Sequence, residues 1–595
     1  MSGALRYTRE PMETPIPAPK HQISELSAAL AACRGAFAGT ALISGMSNIL
    51  MLSGAMFMLE VYDRVLPSRS VPTLVGLTVL VAVLFLALGL LDAIRGRILA
   101  RVGGSLDEAL SGRVYDTMVR LPLRAGNRGD GNLPLRDLDA IRSFLSSLGP
   151  VALFDLPWIP LYLAICFIFH PLIGLTALIG AIVLIALTLL TEHLTKAPAK
   201  AAQEAAMARN GLAEASRRNA EALTAMGMFG RMASRWGNAN RAYMSSQQRT
   251  SDVGGGLSAA SKVLRMMLQS GVLAVGAYLV IQQQASAGVI IAGSILSARA
   301  LAPVDLAIAH WKGFVNARQS WQRLSKLLAA MPAQAPPMAL HPPSHRLLVE
   351  TVSAAPPGVS KIMLHDVGFK LEAGQGLGII GPSGSGKSSL VRLLVGVWHP
   401  VRGKVRLDGA ALDQWSPDVI GRHIGYLPQD VELLTGTVAE NISRFEQEPD
   451  IDAVIAAAKA VAVHDLIVSL PQGYDTPVGE YGTSLSAGQA QRVALARAVY
   501  RDPFLVVLDE PNAHLDADGD AALTRAILGV RERKGIVIVV AHRPSAIAGV
   551  DQIMVMKEGR VQAFGPKDEV LNKVLQRPAV PQPLKVAPEG GNASA

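Results

Sequence analysis

The 595-residue chain has few charged residues, few aromatic residues and only two cysteines, and each shortage excludes a class of protein. Charged residues make up 17% of the chain and hydrophobic residues 50%, an apolar excess that indicates membrane spans rather than a soluble enzyme. Cys33 and Cys166 lie far apart without metal-ligand or redox spacing, which excludes a disulfide framework and cysteine chemistry. The 5% of aromatic residues are not interleaved with a basic stripe, so nucleic-acid binding is not expected, and basic flanks of membrane helices better explain the net charge of +9.

Three segments are expected to lie outside compact domains. Residues 1–36 are polar and Pro-rich and lack the basic start, apolar stretch and small-residue cleavage site of a signal peptide, so a flexible cytoplasmic tail is predicted. Residues 331–345 contain five prolines and form the predicted linker between the two halves of the chain. Residues 576–595 are predicted to be a disordered tail.

Six apolar runs in the first half predict an all-α transmembrane domain over residues 37–330. Each run has about the length at which a helix crosses a bilayer, and they are residues 37–59, 71–91, 150–169, 172–190, 266–281 and 289–309. Lys and Arg cluster after the second, fourth and sixth runs, whereas the other connections have balanced charge or neither residue. Because positively charged loops stay in the cytoplasm, both termini are predicted to be cytoplasmic.

The two cytoplasmic connections, residues 92–148 and 191–265, are unusually long. Apolar residues recur in them at three-to-four spacing, so the spans are expected to continue as helices into the cytoplasm. Residues 133–146 and 221–236 at their tips are predicted to be short helices that contact the second half of the chain, and solvated loops are the alternative.

The sixth apolar run also carries two charged residues, Arg299 and Asp305, which are costly in lipid. In one interpretation they line a water-filled path through the protein. In the other they pair with Asp155 or with each other and hold the helices together. The sequence alone leaves both interpretations open.

The second half contains the phosphate-loop pattern G-x-x-x-x-G-K-[ST], between a strand-like run and a helical run. Its glycines let consecutive N–H groups point at a polyphosphate, and the following helix adds the positive end of its dipole. Lys387 would supply a cation for the β- and γ-phosphates, and Ser388 a hydroxyl for Mg²⁺. The nucleotide-binding residues predicted here are Gly381, Pro382, Ser383, Gly384, Ser385, Gly386, Lys387, Ser388 and Ser389.

Polar residues at the ends of three other strand-like runs are candidates for hydrolysis chemistry. Asp509 is predicted to hold Mg²⁺ and Glu510 to orient and polarise the attacking water. Gln429 would reach both Mg²⁺ and water, and the imidazole of His542 would hydrogen-bond the γ-phosphate. Taken singly, Gln429 would be read as a surface residue and His542 as a structural one.

A second anion site is predicted where Ser486, Gly488 and Gln489 open a helix. One domain has no use for two separate γ-phosphate sites, so Ser486 is expected to serve ATP held by a second copy of the chain in a homodimer. Strand-like and helical runs alternate around these motifs, which predicts an α/β P-loop ATPase domain over residues 346–575.

Together these motifs resemble the ATP-binding cassette (ABC) family, whose signature LSGGQ is similar to LSAGQ at residues 485–489. The segment 513–516 (AHLD) belongs to the same pattern and adds Asp516 to the nucleotide-binding set. Six preceding spans resemble an exporter half-transporter, which implies the type I ABC exporter fold. The family also implies a dimer with two ATP, each between Lys387 of one copy and Ser486 of the other, and a contact of residues 478–482 with the partner's cytoplasmic helices.

Two membrane segments give a narrower resemblance. Residues 58–68 (MLEVYDRVLPS) and 299–305 (RALAPVD) are similar to segments of type I secretion exporters, in the branch that exports proteases, lipases and haem-binding proteins. That resemblance implies export of unfolded proteins with a C-terminal signal from the bacterial inner membrane, with a periplasmic adaptor and an outer-membrane channel. An ABC exporter of lipids, peptides or drug-like molecules is the alternative.

Two positions depart from the family pattern. Ala487 replaces the first signature glycine, and its methyl group would crowd the phosphate of the partner's ATP. The family stacks adenine on an aromatic residue upstream of the phosphate loop, whereas residues 354–357 here read AAPP. Aromatic stacking of adenine is therefore in question.

Membrane fractionation tests the span assignment against a soluble cassette ATPase that acts on nucleic acid. The full-length chain is expected to sediment with membranes and to stay there after an alkaline carbonate wash, because its six apolar runs are stable only in the bilayer. Immunoblotting of both fractions measures the outcome. Recovery of the chain in the carbonate extract would contradict the prediction.

Overall fold

The computed structural model describes residues 25–126, 131–332, 340–479, 484–513 and 515–575. The described residues form two compact units, one within residues 25–120 and 131–332 and the other within residues 121–126 and 340–575. Residues 1–24 of the predicted N-terminal tail, residues 333–339 of the predicted linker and the predicted C-terminal tail lie outside the described residues.

Helices account for the first unit, with a π-helical turn at Val61–Val65 and a 3-10 turn at Leu156–Trp158. Among the described residues, six helical stretches are long and apolar enough to cross a membrane, and each contains one of the six predicted runs, so the six-span prediction is confirmed. The helices are α1 (Glu25–Ala32), α2 (Arg34–Glu60), α3 (Leu66–Ser68), α4 (Val71–Ala125), α5 (Leu133–Leu145), α6 (Gly149–Asp155), α7 (Ile159–Phe169), α8 (Pro171–Arg218), α9 (Ala220–Ala225), α10 (Phe229–Ile281) and α11 (Ala287–Ala330).

The long connections that the sequence predicts to be cytoplasmic are helical, as predicted, rather than solvated loops. α4, α8 and α10 have 55, 48 and 53 residues, and at about 1.5 Å per residue each is about two and a half times as long as a bilayer core is thick. The predicted tip helix at 133–146 is present as α5. The one predicted at 221–236 is shorter, because a turn at Met226–Met228 ends α9 and Phe229 already begins α10. Contact of these tips with the ATPase stays a prediction.

Part of the predicted flexible tail is helical. α1 begins at Glu25, and its Leu26 is fully buried in a cluster with Leu106, Val114 and Leu324. Glu25 also forms a salt bridge of 3.1 Å with Arg113 on α4. Apolar burial and an ion pair therefore hold residues 25–32, and the expectation of a flexible segment does not apply to them.

A buried polar network joins three spans. The Asp155 carboxylate accepts hydrogen bonds from Asn48 Nδ2 (2.9 Å) and Arg95 NH1 (3.1 Å), and Tyr162 donates to the Asn48 side chain at 3.0 Å. All four residues are at most 9% exposed. Asp155 therefore pairs with Arg95, and not with Arg299 or Asp305 as one interpretation of the sequence had it.

The charged residues of the sixth span do not pair with each other either. Asp305 on α11 forms a salt bridge of 2.9 Å with Arg265 on α10. Arg299 lies at an exposed position of the same helix. The partner of Asp305 is therefore on α10, and the sequence did not predict this pair.

The segment 58–68, which carried the narrower family resemblance, has a physical role at the start of α11. Asp63 lies in the π-helical turn, and its carboxylate accepts hydrogen bonds from Gly288 N (2.9 Å) and Ser286 Oγ (2.5 Å). A β-carbon on Gly288 would lie 2.7 Å from that carboxylate, so this approach requires glycine. A negative charge at a helix N-terminus is favourable, and Asp63 thus ties the end of the first span to the start of the sixth.

The second unit contains two sheets. A four-stranded antiparallel sheet has the order β2-β1-β4-β5, and a six-stranded sheet has the order β10-β9-β3-β8-β7-β6 with a parallel centre. This arrangement confirms the predicted α/β class. The strands are β1 (Arg346–Ala354), β2 (Leu364–Glu372), β3 (Gly376–Ile380), β4 (Arg402–Leu407), β5 (Ala410–Ala411), β6 (Ile424–Leu427), β7 (Leu505–Asp509), β8 (Ile536–Val540), β9 (Gln552–Lys557) and β10 (Arg560–Pro566).

Helices cover the six-stranded sheet, whose central strands are buried on both faces. Val507 packs into one apolar cluster and its neighbour Leu508 into the other, as alternate side chains of a strand must. The parallel strands β3, β7 and β8 end at one edge of the sheet, where their connecting loops meet. The helices are α12 (Lys387–Leu394), α13 (Pro417–His423), α14 (Val438–Ile442), α15 (Ile451–Ala460), α16 (His464–Val468), α17 (Ala487–Val499), α18 (Ala517–Glu532) and α19 (Lys567–Leu575).

We expect Asp155→Ala to destabilise the membrane unit far more than Glu60→Ala. Removing Asp155 leaves the buried Arg95 guanidinium with only the more exposed Asp92 and the Ser44 hydroxyl as partners, at a cost of about 3 kcal/mol. Glu60 pairs with Arg64 on the surface, where the Arg64 side chain is 78% exposed, and its loss costs under about 1 kcal/mol. Thermal unfolding in detergent measures both variants, and equal melting temperatures would contradict the assigned role of the network.

Candidate functional site

A cleft at the carboxyl ends of the parallel strands brings together most of the predicted site residues. The phosphate loop, the end of β6, the end of β7 and the end of β8 each contribute to it. Such an edge, where loops leave parallel strands, is the usual ligand position in an open α/β sheet. The cleft is lined by Met363, Ser383, Gly384, Gly386, Lys387, Ser388, Ser389, Gln429, Glu510 and His542.

The phosphate loop has a backbone that only glycine tolerates at two points. Gly381 has φ 153°, and a β-carbon there would lie 2.2 Å from the Met556 carbonyl oxygen. Gly386 has φ 95° and caps α12 directly before Lys387. Together they turn the chain sharply between β3 and α12, so that the N-terminus of α12 faces the cleft. Ser385, in the same loop, is buried.

Lys387 is held inside this loop. Its Nζ donates hydrogen bonds to the carbonyl oxygens of Gly381 (2.9 Å) and Pro382 (3.0 Å). Burial lowers the pKa of Lys387, while the nearby carboxylates of Glu510 and Asp509 act in the opposite direction. The ammonium group is thus placed among the loop amides, where the phosphates of a nucleotide would displace the carbonyl oxygens as its partners.

Asp509 ends β7 and is almost fully buried, with 2% exposure. Burial raises its pKa, and the hydrogen bond from the Ser388 hydroxyl lowers it. Its Oδ1 has no hydrogen-bond partner within the described part of the chain. A buried carboxylate oxygen of this kind, beside a serine hydroxyl, fits a hard cation such as Mg²⁺.

The described residues contain no cluster of three or more His, Cys, Asp or Glu side chains suited to a metal ion. Mg²⁺ keeps waters and substrate phosphates among its ligands, so a site for it needs only a few protein oxygens. Ser388 and Gln429 line the cleft, and Ser388 hydrogen-bonds Asp509. These are the three residues that the sequence predicted for Mg²⁺.

Glu510 and His542 are in direct contact. His542 Nε2 lies 3.0 Å from Glu510 Oε1, and both line the cleft. Glu510 has a positive φ of 52°, a conformation that is unfavourable for a residue with a side chain and that persists only where the surroundings hold it. His542 therefore fixes the direction of the Glu510 carboxylate, a contact that the sequence did not predict.

The signature residues do not line this cleft. Ser486 caps α17, and its Oγ accepts a hydrogen bond from Gln489 N (3.3 Å) while the Gln489 side chain accepts one from Ser486 N (2.9 Å). This reciprocal cap exposes the N-terminus of α17, with Gly488 in its first turn. Asp516 is likewise a helix cap, accepting from Gly519 N at 2.9 Å. Within one copy, therefore, the predicted nucleotide-binding residues fall into two groups, those that line the cleft and those at the N-termini of α17 and α18.

Sequence reasoning missed Met363, which lines the cleft. Its backbone N–H donates to the carbonyl of Ala354 at 2.9 Å, so the AAPP segment does lie near the site. Residues 480–482 of the predicted contact with partner helices lie outside the described residues, as does His514. No sequence motif includes Met363. Only the folding of the chain brings this residue next to the phosphate loop.

Comparison with protein families agrees with this geometry. The model for the ABC transporter transmembrane region matches residues 40–304, and the model for the ABC transporter ATPase matches residues 364–513. Over 576 residues the chain is 56% identical to the "Type I secretion system ATP-binding protein PrsD" of Rhizobium meliloti, covering 96% of this chain and 99% of that protein. The chain belongs to the ABC transporter family. It is a multi-pass membrane protein that binds ATP and couples ATP hydrolysis to transport.

More distant relatives of this ABC exporter have names from toxin secretion. It is 29% identical to the "Leukotoxin translocation ATP-binding protein LktB" of Mannheimia haemolytica, over 90% of this chain and 76% of that one. Identity is 28% to the "Cyclolysin secretion/processing ATP-binding protein CyaB" of Bordetella pertussis, over 89% and 75%. A bacterial Atm1-family ABC exporter solved with ATP bound shares the fold, with a TM-score of 0.77 at 24% identity, over 91% and 97% of the two chains.

We expect His542→Ala to slow ATP hydrolysis without abolishing ATP binding. Without the imidazole the Glu510 carboxylate loses its 3.0 Å partner, so kcat should fall by about 10²-fold. Binding of a fluorescent ATP analogue should change little, since the phosphate loop is intact. His399→Ala, at an exposed position of the same unit, is the matched control. An unchanged kcat in His542→Ala would remove His542 from the hydrolytic site.

Proposed function

We propose that this ABC exporter is the inner-membrane component of a type I secretion system, which exports unfolded proteins that carry a C-terminal signal. The observation that supports the cargo class is the 56% identity to PrsD along almost the whole of both chains. The observation that supports ATP-driven work is the cleft, in which a phosphate loop, a buried carboxylate and a Glu–His pair meet.

A homodimer would complete the ATP site. Lys387 and Ser388 lie in the cleft, whereas Ser486, Gly488 and Gln489 present a capped helix N-terminus elsewhere. Two copies arranged head to tail would place that N-terminus over the γ-phosphate bound by the other copy. Asp516, which follows both motifs in the chain, would then lie at the interface. Two ATP would close the dimer, and hydrolysis would reopen it.

The cleft residues have separate tasks in hydrolysis. The loop 381–389 and Lys387 would hold the β- and γ-phosphates, and Ser388, Gln429 and Asp509 would hold Mg²⁺. Bound there, Mg²⁺ would neutralise charge on the phosphate oxygens. Glu510 would orient and polarise the attacking water, and His542 would hold Glu510 in that direction.

The exposed surfaces of the spans favour a polar passage. α4 exposes large apolar residues such as Val75, Val79 and Leu86, as a helix against lipid does. α11, over its whole described length, exposes none, and its exposed positions in the span include Arg299 and Ala302. A passage lined by small and charged residues suits an unfolded polypeptide better than a lipid or an apolar drug.

This proposed function implies where the protein is located and which molecules it contacts. The basic loops support a topology in which the ATPase unit (residues 346–575), the linker (331–345), both termini and the long connections of the transmembrane domain (37–330) are cytoplasmic, while its six spans cross the inner membrane. A periplasmic adaptor, an outer-membrane channel and the secreted protein are the expected partners, in addition to the lipid bilayer. Nucleic acid is not among them.

Replacement of Glu510 tests the proposal at two levels. Glu510→Gln keeps the shape of the side chain but loses the charge that polarises water, so kcat should fall by about 10³-fold while ATP stays bound. In a strain deleted for the chromosomal copy, the wild-type chain should restore specific proteins to the culture medium, and Glu510→Gln should not. Mass spectrometry of the medium identifies these proteins.

Glu569→Gln, at an exposed position of α19, is the matched control and should behave as wild type. Substantial ATPase activity in Glu510→Gln would refute the role of Glu510. An unchanged set of secreted proteins in the deleted strain, with a change in exported lipid or small molecules instead, would refute protein secretion in favour of the alternative exporter.

A further inference from the structure

A buried glutamine connects the signature helix to the end of the catalytic strand. Gln491 lies in the second turn of α17 and is 3% exposed. Its Nε2 donates a hydrogen bond to the carbonyl oxygen of Pro511 and lies 3.5 Å from that of Glu510. Both acceptors belong to the peptide units directly after the catalytic strand β7.

These carbonyls belong to a strained piece of backbone. Glu510 has φ 52°, and its N–H donates to Val540 O on β8 at 3.1 Å. On the other side, Ala513 N–H donates to Glu510 O at 3.3 Å. Because an unfavourable φ is kept only by its surroundings, the groups that bond this backbone decide where the Glu510 side chain points. Gln491 is the side chain that does so from α17.

A second contact makes the same connection. Arg492, the next residue of α17, forms a salt bridge with the Asp516 carboxylate that caps α18. Gln491 and Arg492 therefore bind the chain on both sides of the loop that leaves β7. If α17 moved, these contacts would carry the backbone of Glu510 along with the helix.

We propose that Gln491 is a positioning residue that couples the signature helix to Glu510 of the same copy. This inference rests on the proposed dimer, in which Ser486 at the start of α17 contacts ATP held by the other copy. Binding of that ATP moves α17, and Gln491 passes the movement to the backbone of Glu510. Each copy then hydrolyses its own ATP only when its signature helix has closed over the partner's ATP.

The test replaces the amide with a side chain of similar size that cannot donate. In the full-length dimer, Gln491→Met should lower kcat by about 10- to 100-fold while KM for ATP and the binding of a fluorescent ATP analogue change less than about threefold. The Hill coefficient for ATP should fall towards 1. Gln472→Met, an exposed glutamine of the same unit, is the matched control. Gln491→Glu, which sets a carboxylate against the same carbonyls, is a second variant and should lower kcat similarly.

A double-mutant cycle separates positioning from a merely structural role. If Gln491 acts through Glu510, adding Gln491→Met to Glu510→Gln should not slow the residual single-turnover hydrolysis further, because no carboxylate is left to position. An equal loss in both backgrounds, or kcat and KM changing together, would overturn the proposal. So would an unchanged kcat in Gln491→Met. By contrast, normal turnover in Glu510→Gln alone would refute the proposed hydrolytic role itself.

Discussion

The chemistry of this protein depends on three buried parallel strands that end at one edge of a sheet. β3 and β8 are apolar throughout, and β7 is apolar up to Asp509, its last residue, so the strands are buried and polar groups gather where they end. The phosphate loop follows β3, Glu510 follows Asp509 at the end of β7, and His542 follows β8 after Ala541. Burial of the strands therefore fixes where a cation, two carboxylates and an imidazole meet, and the local loops only refine their directions.

Under the proposed dimer arrangement, each copy holds part of an ATP site. Ser486 is satisfied by its own helix cap with Gln489, and it does not reach the cleft. The helix that carries Ser486 nevertheless contacts the chain that forms the cleft. Gln491 hydrogen-bonds the Glu510 backbone, and Arg492 forms a salt bridge with Asp516. In the proposed dimer, a site divided in this way would make hydrolysis depend on association and so link ATP turnover to movement of the membrane half.

Several charged side chains of the membrane unit form ion pairs with residues of neighbouring helices. Arg95 pairs with Asp155, which also accepts a hydrogen bond from Asn48, and Asp305 pairs with Arg265. Asp63 joins the ends of the first and sixth spans by capping α11. These contacts fix which helices pack together, since apolar surfaces alone select no particular partner in lipid. Arg299 remains exposed on a helix without exposed large apolar residues, which is consistent with a polar passage.

Linear patterns by themselves determined the six spans, the α/β class and the phosphate loop, because hydrophobic run length and a glycine-spaced loop are local properties. The same holds for Asp509, Glu510 and His542, which the sequence placed at strand ends. Only the tertiary structure decided that Asp155 pairs with Arg95, that residues 25–32 are a packed helix, that Met363 lines the cleft and that Gln491 reaches Glu510. Those contacts join residues far apart in the chain, and no local spacing encodes a partner that folding alone brings within reach.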